Sequence, residues 1–219
     1  MAYAALTSGG KDSVLACQKA LDEGIKVDTL FTVRPANRDS YMFHSANLDV
    51  VKYIAEAGGM RYVEIMTPGQ KEAELSDLES GIASLGCDGL VTGAVDSVYQ
   101  RDRLVAIAEK YSLDLFAPLW HRDPEDLLRE VAERMDAILI VTAADGLDES
   151  FLGAHIDAAC IERIKKVAAK RRIHLAGEGG EYETLTLNAP FYRCPIRYSS
   201  SRIVSAAGRH ELVLSGFSL

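Results

Sequence analysis

Apolar runs alternate with helix-period segments through the first half of the chain. Runs rich in Val, Leu, Ile, Phe and Tyr predict strands at 2–7, 26–33, 61–66, 88–92 and 113–116. Apolar positions three and four apart predict helices at 12–23, 45–57, 70–85 and 99–111. This alternation buries a parallel sheet beneath helices on both faces. Gly24, Gly58-Gly59 and Gly86 stand where helix C-termini call for a left-handed residue. The 70–85 segment is amphipathic: Leu75, Leu78, Ile82 and Leu85 face a core, and Glu72, Glu74, Asp77 and Glu79 are expected to turn outward.

After Pro118-Leu119-Trp120 the pattern changes. Pro124 followed by Glu125 and Asp126 predicts the first turn of a helix reaching about Arg134. A strand at 136–142, a helix at 157–170 and β-rich segments from 173 onward complete a second unit. The boundary is expected near residue 118, with a main domain over 1–118 and a smaller C-terminal α/β subdomain over 119–219. In open α/β sheets, ligands bind beyond the carboxyl ends of the strands. Residues 8–13, 34–44 and 93–103 follow such ends and should converge on one cleft.

Ser8-Gly9-Gly10-Lys11-Asp12-Ser13 joins the first strand to the first helix. Backbone N–H groups stacked in such a turn, two of them on glycines, make a concavity suited to phosphate oxygens. The spacing is neither G-x-x-x-x-G-K-[ST] nor G-x-G-x-x-G. Glu178, Glu181 and Glu183 lie within six residues among glycines, with Tyr182 between the last two. Three carboxylates in six residues, set among glycines, are an odd way to build a plain turn; the alternative is that one or two of these glutamates cap helices or pair with Arg193 or Arg197.

Acidic residues number 32 against 24 basic, a formal charge of −8, so the long-range field repels nucleic acid and anionic membranes. No run approaches the ~20 apolar residues of a membrane span. The N-terminus enters a strand without a basic region or cleavage site, and a cytoplasmic protein is expected. Cys17, Cys87, Cys160 and Cys194 are scattered, which argues against a zinc site, an iron–sulfur cluster or a disulfide framework.

SGGKDS resembles the pyrophosphate loop (PP-loop) of the N-type ATP pyrophosphatases. Relatives with this loop that thiolate tRNA often carry paired cysteines, so the missing pair and the acidic balance weigh against a tRNA-modifying role here. Together with SYMFH (40–44), GAVDSVYQRDR (93–103), APLW (117–120), GLDESFLG (146–153) and GEGGEYETLTLNAPF (177–191), the chain resembles the diphthine-ammonia ligase family over essentially its whole length, and its short archaeal form in particular. The resemblance implies a Rossmann-like, HUP/adenine nucleotide alpha hydrolase-like fold. It also implies an ATP-dependent, AMP-forming ligase that amidates diphthine on translation elongation factor 2 with ammonium, giving diphthamide and pyrophosphate. With no segment to house a glutaminase, free ammonium is the expected donor. A related AMP-forming ligase or amidase acting on a small carboxylic acid, and a non-catalytic nucleotide-binding sensor, are the alternatives. The chain admits a homodimer.

Carried onto this sequence, the resemblance implies ATP contacts from Ser8, Gly9, Gly10, Lys11, Asp12, Ser13, Gly93, Arg101 and Arg103. Lys11 and Asp12 would be catalytic, with Asp12 toward Mg²⁺. Substrate contacts would come from Tyr41, His44, Tyr99, Gln100, Glu178, Glu181, Tyr182 and Glu183. Diphthine carries a quaternary ammonium group, which the glutamates and Tyr182 would hold. Asp12 could equally cap the first helix, Arg101 and Arg103 could be surface arginines, and His44 could bond within its own loop.

Overall fold

The computed structural model describes residues 1–36, 46–68 and 71–219. The first unit contains β1 (Tyr3–Leu6), α1 (Lys11–Asp22), β2 (Val27–Pro35), α2 (Val51–Gly58), β3 (Arg61–Thr67), α3 (Lys71–Leu85), β4 (Gly89–Val91), α4 (Val98–Tyr111) and β5 (Asp114–Phe116). A 3-10 turn, Leu48–Val50, leads into α2. Among the described residues, the five strands form a parallel sheet in the order β3-β2-β1-β4-β5. The order reverses at β1, which pairs with β2 on one side and β4 on the other. Helices cover both faces. Val14, Leu15, Val51 and Ile54 of α1 and α2 belong to one buried cluster, and Leu78, Ile82, Leu104 and Ile107 of α3 and α4 to another.

The second unit contains α5 (Pro124–Arg134), β6 (Asp136–Thr142), α6 (Ala158–Ala168), β7 (Tyr182–Asn188), β8 (Ser200–Ala206) and β9 (Arg209–Ser215). Asp123 caps α5 as the proline and acidic first turn require: its carboxylate accepts the Glu125 and Asp126 N–H groups at 2.9 and 3.0 Å. The strands form a separate antiparallel sheet, β7-β6-β9-β8. Residues 137–142 of β6 are all buried, as a central strand with both faces covered demands. Leu127 and Val131 of α5, Ile161 of α6, Leu139 of β6 and Leu185 of β7 join Val14 and Leu15 of α1 in one hydrophobic cluster. One core therefore runs through both units and fixes them against each other.

Most helix bounds follow the hydrophobic periodicity closely, but the helix expected over 45–57 begins only at Val51, behind the 3-10 turn and Asn47 at a left-handed φ of 54°, and one face needs correcting. Glu74, expected outward, is buried at 1% exposure. It lies four residues before Leu78 and eight before Ile82, on the same stripe of α3. Glu79 does reach the surface side, pairing with Lys110. No helix among the described residues is long and apolar enough to cross a membrane.

Candidate active site

A cavity of about 700 Å³ opens beyond the carboxyl ends of β1 and β4, where the strand order reverses. Ser8, Gly10, Lys11, Asp12 and Ser13 line one wall. The loop holds its shape through local bonds: the Gly9 N–H donates to Thr7 Oγ1 at 3.0 Å and Ser13 Oγ donates to the Gly10 carbonyl at 3.0 Å. It is also clamped by β7. The Lys11 N–H donates to Thr184 Oγ1 at 3.0 Å, and the Gly9 carbonyl accepts the Thr186 N–H at 2.9 Å. Gly9 faces away from the cavity: at φ +81° it lies so close to α2 that an added Cβ would meet Val50 Cγ1 at 2.9 Å. Two N–H groups of the cradle, those of Gly9 and Lys11, are thus committed to the protein itself. Those of Asp12 and Ser13, in the first turn of α1, have no partner within the helix.

Lys11 is 3% exposed. Its ammonium donates to Asp12 Oδ2 at 2.7 Å and to the Ala176 carbonyl at 2.6 Å, and lies 5.4 Å from the centre of the Tyr182 ring. Asp12 does not cap α1; Gly10 occupies the N-cap position. One Asp12 oxygen is engaged by Lys11, while the other, Oδ1, is buried without a hydrogen-bond partner.

Gly93, Tyr99 and Gln100 line the neighbouring wall. Gly93 touches the cradle backbone directly: an added Cβ would sit 2.6 Å from the Asp12 carbonyl carbon and 2.7 Å from the Ser13 nitrogen. Arg101 and Arg103 are not among the lining residues. The Arg101 guanidinium lies over the Trp120 ring at 4.9 Å. That of Arg103 lies over Tyr99 at 3.2 Å and donates to the Tyr99 carbonyl at 2.9 Å. Tyr41 and His44 lie outside the described residues.

Glu178, Tyr182 and Glu183 complete the enclosure, and the glutamates of this segment differ in what they touch. Glu178 reaches the cavity, where its Oε2 accepts the Asp96 N–H at 3.3 Å. Burial, and after it repulsion from Asp12, push its carboxyl above the usual glutamate range. Glu181 turns back into its own loop, accepting the His174 and Gly179 N–H groups at 2.6 and 2.8 Å, and does not line the cavity. Glu183 accepts from Arg209 of β9 at 2.8 Å. Neither Arg193 nor Arg197 is the partner in these bonds. Tyr182 is 3% exposed, its hydroxyl donates to the Leu175 carbonyl at 2.8 Å, and burial holds that hydroxyl well above its ordinary range. The cations over the Tyr182 and Tyr99 rings are thus the chain's own Lys11 and Arg103, so the cavity offers an incoming cation carboxylates more readily than aromatic faces.

Sequence reasoning passed over Thr184, Arg209, Asp96 and His174. Thr184 and Asp96 stand inside motifs already singled out, where a neighbouring glutamate or arginine drew the attention. Arg209 reaches the cavity through the pairing of β9 with β6, for which the local sequence carries no signal.

Taken together, the strand order, the glycine-rich strand-to-helix cradle and the facing carboxylate wall define an α/β protein with a composite candidate site lined from both units. Family models describe its two parts: the diphthamide synthase N-terminal domain matches residues 1–115 and the diphthamide synthase C-terminal domain residues 123–210. The chain belongs to the diphthamide synthase family. Proteins named diphthine–ammonia ligase are similar to it. The human one is 33% identical, over 93% of this chain and 85% of its own length. That of Danio rerio is 31% identical, over 93% and 89%. That of Schizosaccharomyces pombe is 30% identical over 91% of this chain, which spans 36% of the yeast protein.

Proposed function

We propose that this chain is a diphthine–ammonia ligase, converting ATP, ammonium and diphthine on elongation factor 2 to diphthamide, AMP and pyrophosphate. The observation that carries the reading is one cavity in which an anion cradle faces Glu178, in a chain matched along both units by the diphthamide synthase family. Residues 1–118 would hold the nucleotide, and 119–219 would supply most of the wall that recognises diphthine.

A carboxylate is a poor acyl donor because its leaving group would be oxide. In the reading offered here, a diphthine carboxylate oxygen attacks the α-phosphorus of ATP and the bond to pyrophosphate breaks. Ammonia then attacks the acyl carbon and AMP departs. The N–H groups of Asp12 and Ser13 and, beside them, the positive charge of the buried Lys11 ammonium would stabilise negative charge on the leaving pyrophosphate. Glu178 would attract the trimethylammonium group of diphthine.

The orphaned, buried Oδ1 of Asp12 fits a divalent cation. Among the described residues no cluster of three or more His, Cys, Asp or Glu could hold a metal unaided, which accords with Mg²⁺, since that ion uses one or two carboxylates and completes its shell with phosphates and water. Bound there, it would add charge neutralisation at the phosphates.

The test is incubation of the purified chain with Mg-ATP, ammonium and elongation factor 2 carrying diphthine, followed by mass spectrometry of the modified histidine peptide and nucleotide analysis. Amidated peptide with one AMP per event is expected. AMP without amidation would point to another acceptor, and ADP would overturn the pyrophosphatase chemistry.

A further inference from the structure

Three segments distant in sequence meet at Asp96, just outside the cavity. One Asp96 oxygen, Oδ1, lies 2.9 Å from His121 Nδ1; the other, Oδ2, lies 3.1 Å from His174 Nε2. The Asp96 backbone N–H donates to Glu178. Both neighbouring segments are themselves fixed. His121 donates its backbone N–H to the Val95 carbonyl at 2.8 Å, adopts a left-handed φ of +55°, and sets its ring against Trp120 in a tilted contact with centroids 4.3 Å apart. His174 uses both ring nitrogens: the Ala176 N–H donates to Nδ1 at 3.2 Å, so the ring proton sits on Nε2 and donates to Asp96.

The segment held in this way needs holding. Residues 174–181 contain Gly177, Gly179 and Gly180, with φ of +79° at the first and third, and glycine gives such a loop many competing conformations. Glu181 braces it from within. Asp96 braces it from the opposite side, through His174 at the loop's start and Glu178 in its middle. Asp96 is not among the residues that line the cavity, so whatever it contributes passes through those two.

We propose that Asp96 and His174 form a positioning pair that sets the 174–181 loop, and with it Glu178, against the nucleotide cradle, so that amidation depends on them far more than ATP binding does. The proposal rests on the ligase reading for its chemistry but not for its geometry.

The test uses the full chain with Asp96→Ala, His174→Ala, the double variant and Asp96→Asn. The readouts are ATP affinity by calorimetry, kcat and KM for diphthine-bearing elongation factor 2, and hydrogen exchange of the amides at 174–181. Misplacing a reacting constellation by about 1 Å costs up to ~100-fold, so each alanine variant should lose about 10- to 100-fold in kcat/KM, with a much smaller loss in ATP affinity passed on through the Ala176 carbonyl that holds Lys11. The double variant should lose no more than the worse single one, as expected for two residues acting through one contact. Asparagine can accept from His174 Nε2–H through its oxygen and donate its amide to His121 Nδ1, so Asp96→Asn should keep most of the wild-type kcat/KM. Exchange at 174–181 should quicken in the alanine variants and stay slow in Asp96→Asn. Wild-type turnover in Asp96→Ala, additive losses in the double variant, or a loss in Asp96→Asn equal to that in Asp96→Ala would overturn the proposal. Should the wild-type chain make no diphthamide, the ligase reading fails, while the exchange comparison still decides whether Asp96 holds the loop.

Discussion

Residues 8–13 form their wall of the cavity from one strand end and one helix start, with backbone groups as the reagents. Residues 174–184 form the facing wall, in which Asp96 and Arg209 set the directions of the Glu178 and Glu183 carboxylates and Lys11 holds the Ala176 carbonyl, each from another segment. Backbone donors stay where the chain path puts them. A carboxylate points wherever its partners pull it, so three glutamates within six residues reach three different destinations. The cradle is therefore a unit that sequence spacing can specify, whereas the carboxylate wall exists only after both units have folded against each other.

The largest effect should come from separating those three destinations. Glu178→Gln removes the cavity carboxylate and should lower amidation by about 100-fold or more, in the range seen when a preorganised charge-stabilising group is deleted. Thermal stability measured without ATP or magnesium should hold or rise, because the substitution neutralises a buried carboxylate that Asp12 repels. Glu181→Gln should act differently: one amide oxygen replaces two carboxylate oxygens that each accept a backbone N–H, at a cost of about 1–2 kcal/mol in stability. Glu183→Gln weakens a pair whose arginine is 40% exposed, worth about 0.2–1 kcal/mol. Equal activity losses in all three variants would mean that the wall works as a collective charge and would dissolve the distinction.

The cradle is tested by Gly93→Ala. The added Cβ would meet backbone atoms of Asp12 and Ser13 at 2.6–2.7 Å, and no flexible side-chain end can swing away to relieve the overlap. Overpacking of this kind costs about 1–3 kcal/mol. Because the strain falls on the cradle itself, ATP affinity should drop about tenfold, equivalent to ~1.4 kcal/mol. Calorimetric titration with ATP checks it. An unchanged affinity would show that the first turn of α1 can shift without losing the nucleotide.

These contrasts bear on how much could be read from the sequence. The alternation of apolar runs with segments of 3.6-residue period made nearly every element of the parallel sheet legible, and SGGKDS stood out because a turn of stacked backbone N–H groups is contiguous in sequence. The second sheet was legible as strands but not as an order: β9 lies between β6 and β8 through pairings such as Val141 with Glu211, and nothing local announces them. Lys11 illustrates the same limit at the site. The resemblance implied an ATP contact and a catalytic role for it, but not that its ammonium would be tied to Asp12 and to the carbonyl of Ala176, 165 residues away. The face of Glu74 was legible after all, since positions 74, 78 and 82 share one stripe; its charge had outweighed its spacing.

The smallest expected effect on the site concerns what keeps the two walls in register at the end of α1 remote from the cavity. Lys19 lies eight residues beyond Lys11, about 12 Å along the helix axis, and donates to Glu130 of α5 at 3.0 Å. Arg122 and Arg134 bond the same carboxylate, and Arg134 reaches back to Asp22 of α1 at 2.6 Å. Burial alone would raise the Glu130 pKa, but Arg122 and Lys19 outweigh it and hold the carboxyl down to about 2. An unfolded glutamate titrates near 4.5, so the folded chain binds this proton less readily than the unfolded chain does. The stabilisation is therefore complete above about pH 4.5 and is lost as pH falls through that value toward 2. Glu130→Gln should lose about 1.5–3 kcal/mol at neutral pH, the range for hydrogen bonds to charged groups, and should show a shallower acid slope in urea melts between pH 5 and 3 on the order of one group's titration. Amidation at neutral pH and low temperature should be retained, because the shared core of α1, α5, β6 and β7 still sets the distance between the walls. If turnover instead falls in step with stability, the register of the cradle against the carboxylate wall depends on this ion-pair cluster as well as on the core.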